Sequence, residues 1–305
     1  MTLRHLYYFL KPVMPRRLQI ELRRRYAARL HREHAAVWPI DVRAAKARDG
    51  WRGWPDGKRF ALVLTHDVDT ARGHERCLEL MEVEKSLGFR SCFNLVPKRY
   101  DVSSDLRKIL VDNGFEVGVH GLYHDGRYFE SKEEFDRRAV HINRYLREWC
   151  AVGFRAPSML HNLEWIGELD IEYDASTFDT DPFEPQPDGV CTIYPFRVGV
   201  PDRGNGYIEL PYTLPQDFLL FVLLGHKDTR VWKKKLDWIA GQGGMALMLT
   251  HPDYMLFNGC KPGIETYPVD YYRAFLEYVK STYEGQYWHA LPRDVASYVS
   301  NSLGK

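Results

Sequence analysis

The chain is short of most of the features that would settle its class at a glance. Its longest purely apolar run, Phe218 to Leu224, is far too short to cross a bilayer. The Leu6 to Leu10 stretch is cut off by Lys11 and Pro12 before it can act as a secretory core. A net charge of one sign is also missing: 42 Lys and Arg against 41 Asp and Glu leave a formal +1, so no global field favours nucleic acid. The 5 cysteines, Cys77, Cys92, Cys150, Cys191 and Cys260, are scattered and odd in number. They contain no C-x-x-C pair, which excludes a zinc knuckle or a dithiol redox motif and fits free thiols in a reducing compartment. Internal repeats and low-complexity tracts are absent. A soluble, cytoplasmic protein is expected. Its 305 residues, 45% of them hydrophobic, suffice for one large barrel-type domain or two ordinary ones.

What is present divides in two. Residues 1–57 form a basic, helix-prone extension in which, up to residue 33, Arg4, Lys11, Arg16, Arg17, Arg23, Arg24, Arg25, Arg29 and Arg32 face only Glu21 and Glu33. Leu18, Leu22, Tyr26 and Leu30 recur at helical spacing. Such a stripe suits either docking onto the chain's own domain or peripheral contact of residues 1–50 with an anionic membrane, at its inner face for a cytoplasmic protein. Residues 58–305 alternate short apolar runs with amphipathic stretches. Phe60–Thr65, Ser91–Val96, Phe115–Val119, Gly153–Ala156, Tyr207–Pro211 and Met245–Thr250 read as strands, and Glu75–Leu87, Ser104–Asn113, Glu133–Cys150, Lys227–Ala240 and Tyr271–Tyr283 as helices. This is an α/β pattern, a parallel sheet covered by helices, and at this length a barrel or near-barrel.

Polar clusters fall at the C-terminal ends of these strands, the rim where barrels assemble active sites. Asp67 and Asp69 close the first. Separated by one residue, they allow one carboxylate to bind a cation while the other stays free to take a proton, although a lone D-x-D is also an ordinary turn motif. His120 and His124 close the third, with a spacing that suits joint coordination whether their loop is a helical turn or a tight bend. One carboxylate with two imidazoles leaves cation positions open for water and substrate. Arg155 reaches the same rim and can keep Asp67 ionised. His251 ends another apolar strand and can protonate a leaving amine. Asp174, Asp179 and Asp181 are each able to orient it. Tyr123, Tyr128, Trp165, Phe178 and Phe183 are candidates to stack on sugar rings or, as readily, buried aromatics.

With these residues in place, residues 58 to 300 resemble the polysaccharide deacetylase family, the NodB-homology deacetylases of carbohydrate esterase type. Their domain is a distorted (β/α) barrel of seven or eight strands. The family's T-F-D-D-G motif resembles T-H-D-V-D here, which implies Asp67 as base and Asp69 as metal ligand. H-(S/T)-x-x-H matches His120 and His124, with Gly121 in place of the hydroxyl residue. R-x-P matches Arg155 and Pro157, and Ser158 then stands where a backbone N–H meets the oxyanion. The fourth motif's acidic residue is assigned to Asp179, and apolar-x-His matches Leu249 and His251.

The resemblance implies a divalent cation, Zn2+ first with Co2+ or Ni2+ as substitutes, and an N-acetylated glycan as substrate, either polymeric or lipid-linked. Asp67 would deprotonate the attacking water and His251 protonate the departing amine. Hydrolysis of a formamide or cyclic amide is the enzymatic rival. A catalytically silent glycan-binding barrel is the rival of another class.

Overall fold

A computed structural model describes residues 14–47, 51–199 and 206–302. Its organising strand is β1 (Phe60–Val68), whose nine residues are all buried. That continuous apolar run is what a parallel strand needs when helices cover one face and a barrel interior fills the other. Side chains alternate between the two. Phe60, Leu62 and Leu64 pack outward in one core cluster, whereas Ala61 and Val63 pack inward with Met245, Leu247 and Leu249 in another.

The further parallel strands are β2 (Cys92–Leu95), β3 (Glu116–His120), β4 (Gly153–Arg155) and the short β5 (Tyr173–Asp174). Strand β6 (Phe196–Val198) runs antiparallel to β7 (Tyr207–Glu209), and β8 (Met245–Thr250) lies beside β1. Neighbours run β1-β2-β3-β4-β5-β7. Beyond β7 the chain meets β8 through the single bridge Leu214↔Met248 instead of a full ladder, with Phe178↔Tyr212 tying it to the segment after β5, and this is where the barrel is distorted. A small ribbon follows, β9 (Met255–Leu256) with β10 (Tyr267–Pro268), and β11 (Tyr287–His289) pairs with the early half of β1.

The helices are α1 (Arg16–Glu33), α2 (Ala71–Leu87), α3 (Ser104–Asp112), α4 (Lys132–Trp149), α5 (Leu163–Ile166), α6 (Arg230–Gln242), α7 (Val269–Tyr283) and α8 (Pro292–Ser302). Helix α4 shows why boundaries fall as they do. Ser131 accepts from the Glu134 N–H at 3.1 Å in an S-x-x-E start, and Cys150 ends the helix in the left-handed region at φ 51°.

The expected strands and helices are present with shifted ends. Tyr173–Asp174 and Phe196–Val198 are additional strands, too short to leave a period in the sequence. The apolar run after Asp217 winds as a π-helical segment, Phe218–Leu223. The amino-terminal helix docks on that segment, but not through the expected stripe: Ile20 packs with Phe218 and Val222, and Arg24 Nε donates to the Val222 carbonyl at 2.9 Å. Residues 1–13, which hold the Leu6 to Leu10 stretch, lie outside the described residues.

Candidate active site and metal centre

Strand parity assembles the site. On β1 the inward positions after Val63 are Thr65 and Asp67, and the chain then leaves the strand at Asp69. A spacing of two therefore puts both carboxylates on the barrel side. The intervening His66 faces α2, where its Nε2 lies 2.9 Å from Glu84 Oε1 while its Nδ1 meets Thr250 Oγ1 at 2.7 Å. The same alternation turns Asn94 of β2, His120 of β3, Arg155 of β4 and His251 after β8 inward. Gly118 on β3 leaves the space Asn94 uses, since a Cβ there would lie 2.2 Å from the Asn94 amide oxygen.

Asp67 is held from one side. Its Oδ1 accepts from Asn94 Nδ2 at 2.9 Å and from Arg155 Nη1 at 3.0 Å. Burial opposes its ionisation, but Arg155, His120 and His251 outweigh this and hold the carboxyl below its usual range. Arg155 is itself anchored, with Nε donating to the Ala175 carbonyl at 2.7 Å, and its buried Nη2 finds no partner among the described residues.

Asp69, His120 and His124 form a cluster whose ligand atoms all lie within 4.8 Å of one another, and Asp67 Oδ2 reaches its edge, 3.6 Å from His120 Nε2. Asp69 Oδ1 is 3.0 Å from His124 Nε2 and 3.5 Å from His120 Nε2. It is nevertheless a buried oxygen without a well-formed hydrogen bond. His120 Nδ1 faces the Arg155 carbonyl at 3.0 Å and must donate to it, so the Nε2 lone pair points into the cluster. An orphaned carboxylate oxygen facing two imidazole nitrogens fits a divalent cation better than a closed hydrogen-bond network. Burial pushes the Asp69 carboxyl up, yet His124 and His120 hold it well below its usual value. The loop joining the two histidines is a tight bend, with Gly121 at φ 60° and His124 at φ 56°. A Cβ at Gly121 would lie 2.5 Å from Pro157 Cδ, so here the second motif packs directly on the third.

The carboxylate behind His251 is Asp217, which the sequence reading passed over. Asp217 Oδ1 is 2.7 Å from His251 Nδ1 and its Oδ2 accepts from the His251 N–H at 2.9 Å. Tyr267 Oη and the Phe218 N–H complete its shell at 2.9 and 2.8 Å. Burial alone would lower the imidazole pKa, but Asp217 and, behind it, Asp69 and Asp67 push it up to about 10.

The three aspartates expected in that role are engaged elsewhere. Asp179 pairs with Lys235 Nζ at 2.5 Å, because α6 delivers that lysine into the core beside it. Asp174 binds Ser176, and Asp181 accepts from the Phe183 N–H. In sequence Asp217 is only an acidic residue preceding an apolar run, which reads as a cap. Ser158 is exposed at φ 58° in the turn Pro157–Met159, just after Arg155. Tyr128 and Phe178 are buried core residues, and Trp165 and Phe183 are half-buried against Phe135 and Trp38.

No protein-family model matches the chain, nor does any curated protein. Solved structures do. A candidate polysaccharide deacetylase from Mycobacterium smegmatis superposes with a TM-score of 0.64 at 18% identity, covering 83% of this chain and 94% of that one. The Puue allantoinase gives 0.60 at 15% identity, over 86% and 97%. A probable polysaccharide deacetylase from Pseudomonas aeruginosa PAO1 gives 0.57 at 15%, over 80% and 92%. The chain therefore has the fold of this group of hydrolases, the distorted barrel expected from its sequence motifs.

Proposed function

We propose that this barrel is a divalent-metal-dependent hydrolase of the polysaccharide deacetylase type, removing N-acetyl groups from an amino-sugar glycan. The observation that carries the reading is the division of the rim into three parts. Asp67 is fixed through Oδ1 by Arg155 and Asn94 with its Oδ2 turned toward His120, the Asp69–His120–His124 cluster lies beside it, and His251 is backed by Asp217.

Asp69, His120 and His124 would hold the cation, Zn2+ in the first instance with Co2+ or Ni2+ able to replace it. When bound, it polarises the acetamide carbonyl and acidifies water. Asp67 enters ionised and accepts the proton of the attacking water. Arg155 keeps it ionised and oriented. The Ser158 N–H, at the strand end beyond Arg155, donates to the oxygen on which negative charge develops. His251, protonated because Asp217 faces it, gives its proton to the amine nitrogen as the C–N bond breaks. Five cysteines without a disulfide suit a reducing, cytoplasmic setting.

The test is release of acetate from an N-acetylated oligosaccharide, lost with a chelator and restored by Zn2+ or Co2+. No acetate from any amino-sugar substrate would refute the reading. The likeness to the Puue allantoinase favours one alternative, hydrolysis of another amide-like C–N bond. Formate or a ureide product in place of acetate identifies it.

A further inference from the structure

Helix α1 has two unlike faces. Inward, Gln19, Ile20 and Ala27 retain only 8%, 1% and 2% of their exposure. Outward, Leu18, Leu22 and Tyr26 follow one another at i, i+4 and i+8 along a single line and stay 46%, 38% and 62% exposed. Docking onto the barrel is thus complete without the outer row, which no packing requirement explains. The row is flanked by the exposed Arg17, Arg25, Arg29 and Arg32, of which Arg25 and Arg29 pair with Glu21 at 3.1 Å and Glu33 at 2.7 Å. Four arginines against two glutamates leave this face positive. The sequence just upstream repeats the combination, with Leu6, Tyr7, Tyr8, Phe9 and Leu10 between Arg4 and Lys11.

We propose that α1 lies along an anionic lipid surface. Leu18, Leu22 and Tyr26 enter the headgroup boundary and the arginines meet lipid phosphates. A second copy of the chain fits worse, because a self-complementary contact would set the arginines against each other. Three side chains also fall short of the roughly 800 Å² per partner of a stable interface. The inner face of α1 sits on Phe218 and Val222, immediately after Asp217, so the helix that meets the lipid is docked on the segment carrying the carboxylate behind His251. Resting on the hydrolase reading, this makes the substrate a glycan carried on a lipid in that surface.

The experiment is co-sedimentation of the full chain with vesicles of phosphatidylglycerol and phosphatidylcholine, and with phosphatidylcholine alone. Hydrolysis of a soluble N-acetylated oligosaccharide is assayed in parallel. The wild type should sediment with the anionic vesicles only. The triple variant Leu18→Ser, Leu22→Ser, Tyr26→Ser should lose about tenfold in bound fraction. The triple variant Arg17→Gln, Arg25→Gln, Arg29→Gln should lose the preference for anionic lipid, as should the wild type in high salt. All these residues are exposed, so melting temperature and soluble hydrolysis stay at the wild-type level. Unchanged binding of the serine variant overturns the proposal. So does a wild type that forms dimers the serine variant cannot form and ignores vesicles. Vesicle binding without acetate release from either the soluble oligosaccharide or the same glycan carried on a lipid in the vesicles would sink the hydrolase reading alone, and hydrolysis without vesicle binding would sink this inference alone.

Discussion

Replacing Asp217 by asparagine tests whether His251 acts as a proton donor because a carboxylate faces it. Burial would lower the His251 imidazole, but Asp217 at 2.7 Å, ahead of Asp69 and Asp67, pushes it up to about 10. A cation held by Asp69, His120 and His124 would offset the smaller pull of Asp69 and Asp67, which leaves Asp217 as the principal cause. Without that charge the imidazole falls back to about 6.5 or lower. At pH 8 about 3% of it would then be protonated, against nearly all in the wild type, whereas at pH 6 most of it still would be.

Turnover of Asp217→Asn, measured as acetate release across pH 5.5 to 9, should therefore drop about thirtyfold at pH 8 and only about 1.3-fold at pH 6. The alkaline limb moves toward acid. Asparagine also turns an amide toward donors that Asp217 accepts, at about 1–3 kcal/mol of stability. That loss is common to both pH values, so their ratio isolates the proton. Linkage gives a second readout: a group raised in the folded state stabilises fully below about 6.5, and that stability is lost as pH rises through about 10. The variant should lack this alkaline loss. Equal losses of turnover at pH 6 and pH 8 would refute the reasoning.

Asp67→Asn should keep its metal and lose turnover, because Asp67 stands outside the ligand cluster, whereas His120→Ala should lose both. Metal content after gel filtration together with acetate release decides it, and equal metal loss in the two variants rejects the split. Gly121→Ser, which restores the family's usual hydroxyl residue, should destabilise by about 1–3 kcal/mol, since its Cβ meets Pro157 Cδ at 2.5 Å and its φ is 60°. Thermal melting reads this, and an unchanged midpoint contradicts it. Glu84→Ala strips the carboxylate from His66, Ser91 and Tyr272 in a fully buried network and should cost about 3–5 kcal/mol in urea unfolding. A loss under about 1 kcal/mol would show that the network relaxes freely.

Much of this architecture was legible in linear form. The run FALVLT names a doubly covered parallel strand, and Asp67, Asp69, His120, Arg155 and His251 follow strand ends whose parity turns them inward. What misled was of two kinds. Helical spacing identified Leu18, Leu22 and Tyr26 as an apolar stripe, but spacing cannot say which face of a helix docks, and Ile20 took that place. The resemblance's fourth motif made Asp179 the candidate behind His251, but a motif match in an acidic loop does not measure distance across a barrel.

The sequence by itself determined the barrel and most of the polar side chains that meet at its rim, because strand alternation and motif order are local properties of the chain. Only the tertiary structure decided that Asp217 backs His251. The two residues are 34 positions apart and meet because the segment leaving β7 crosses to β8, a crossing made by isolated bridges with no periodic trace. The same holds for Asp179, which the core assigns to Lys235. A buried carboxylate takes whichever donor folding delivers to it, and that is set by the path of the whole chain.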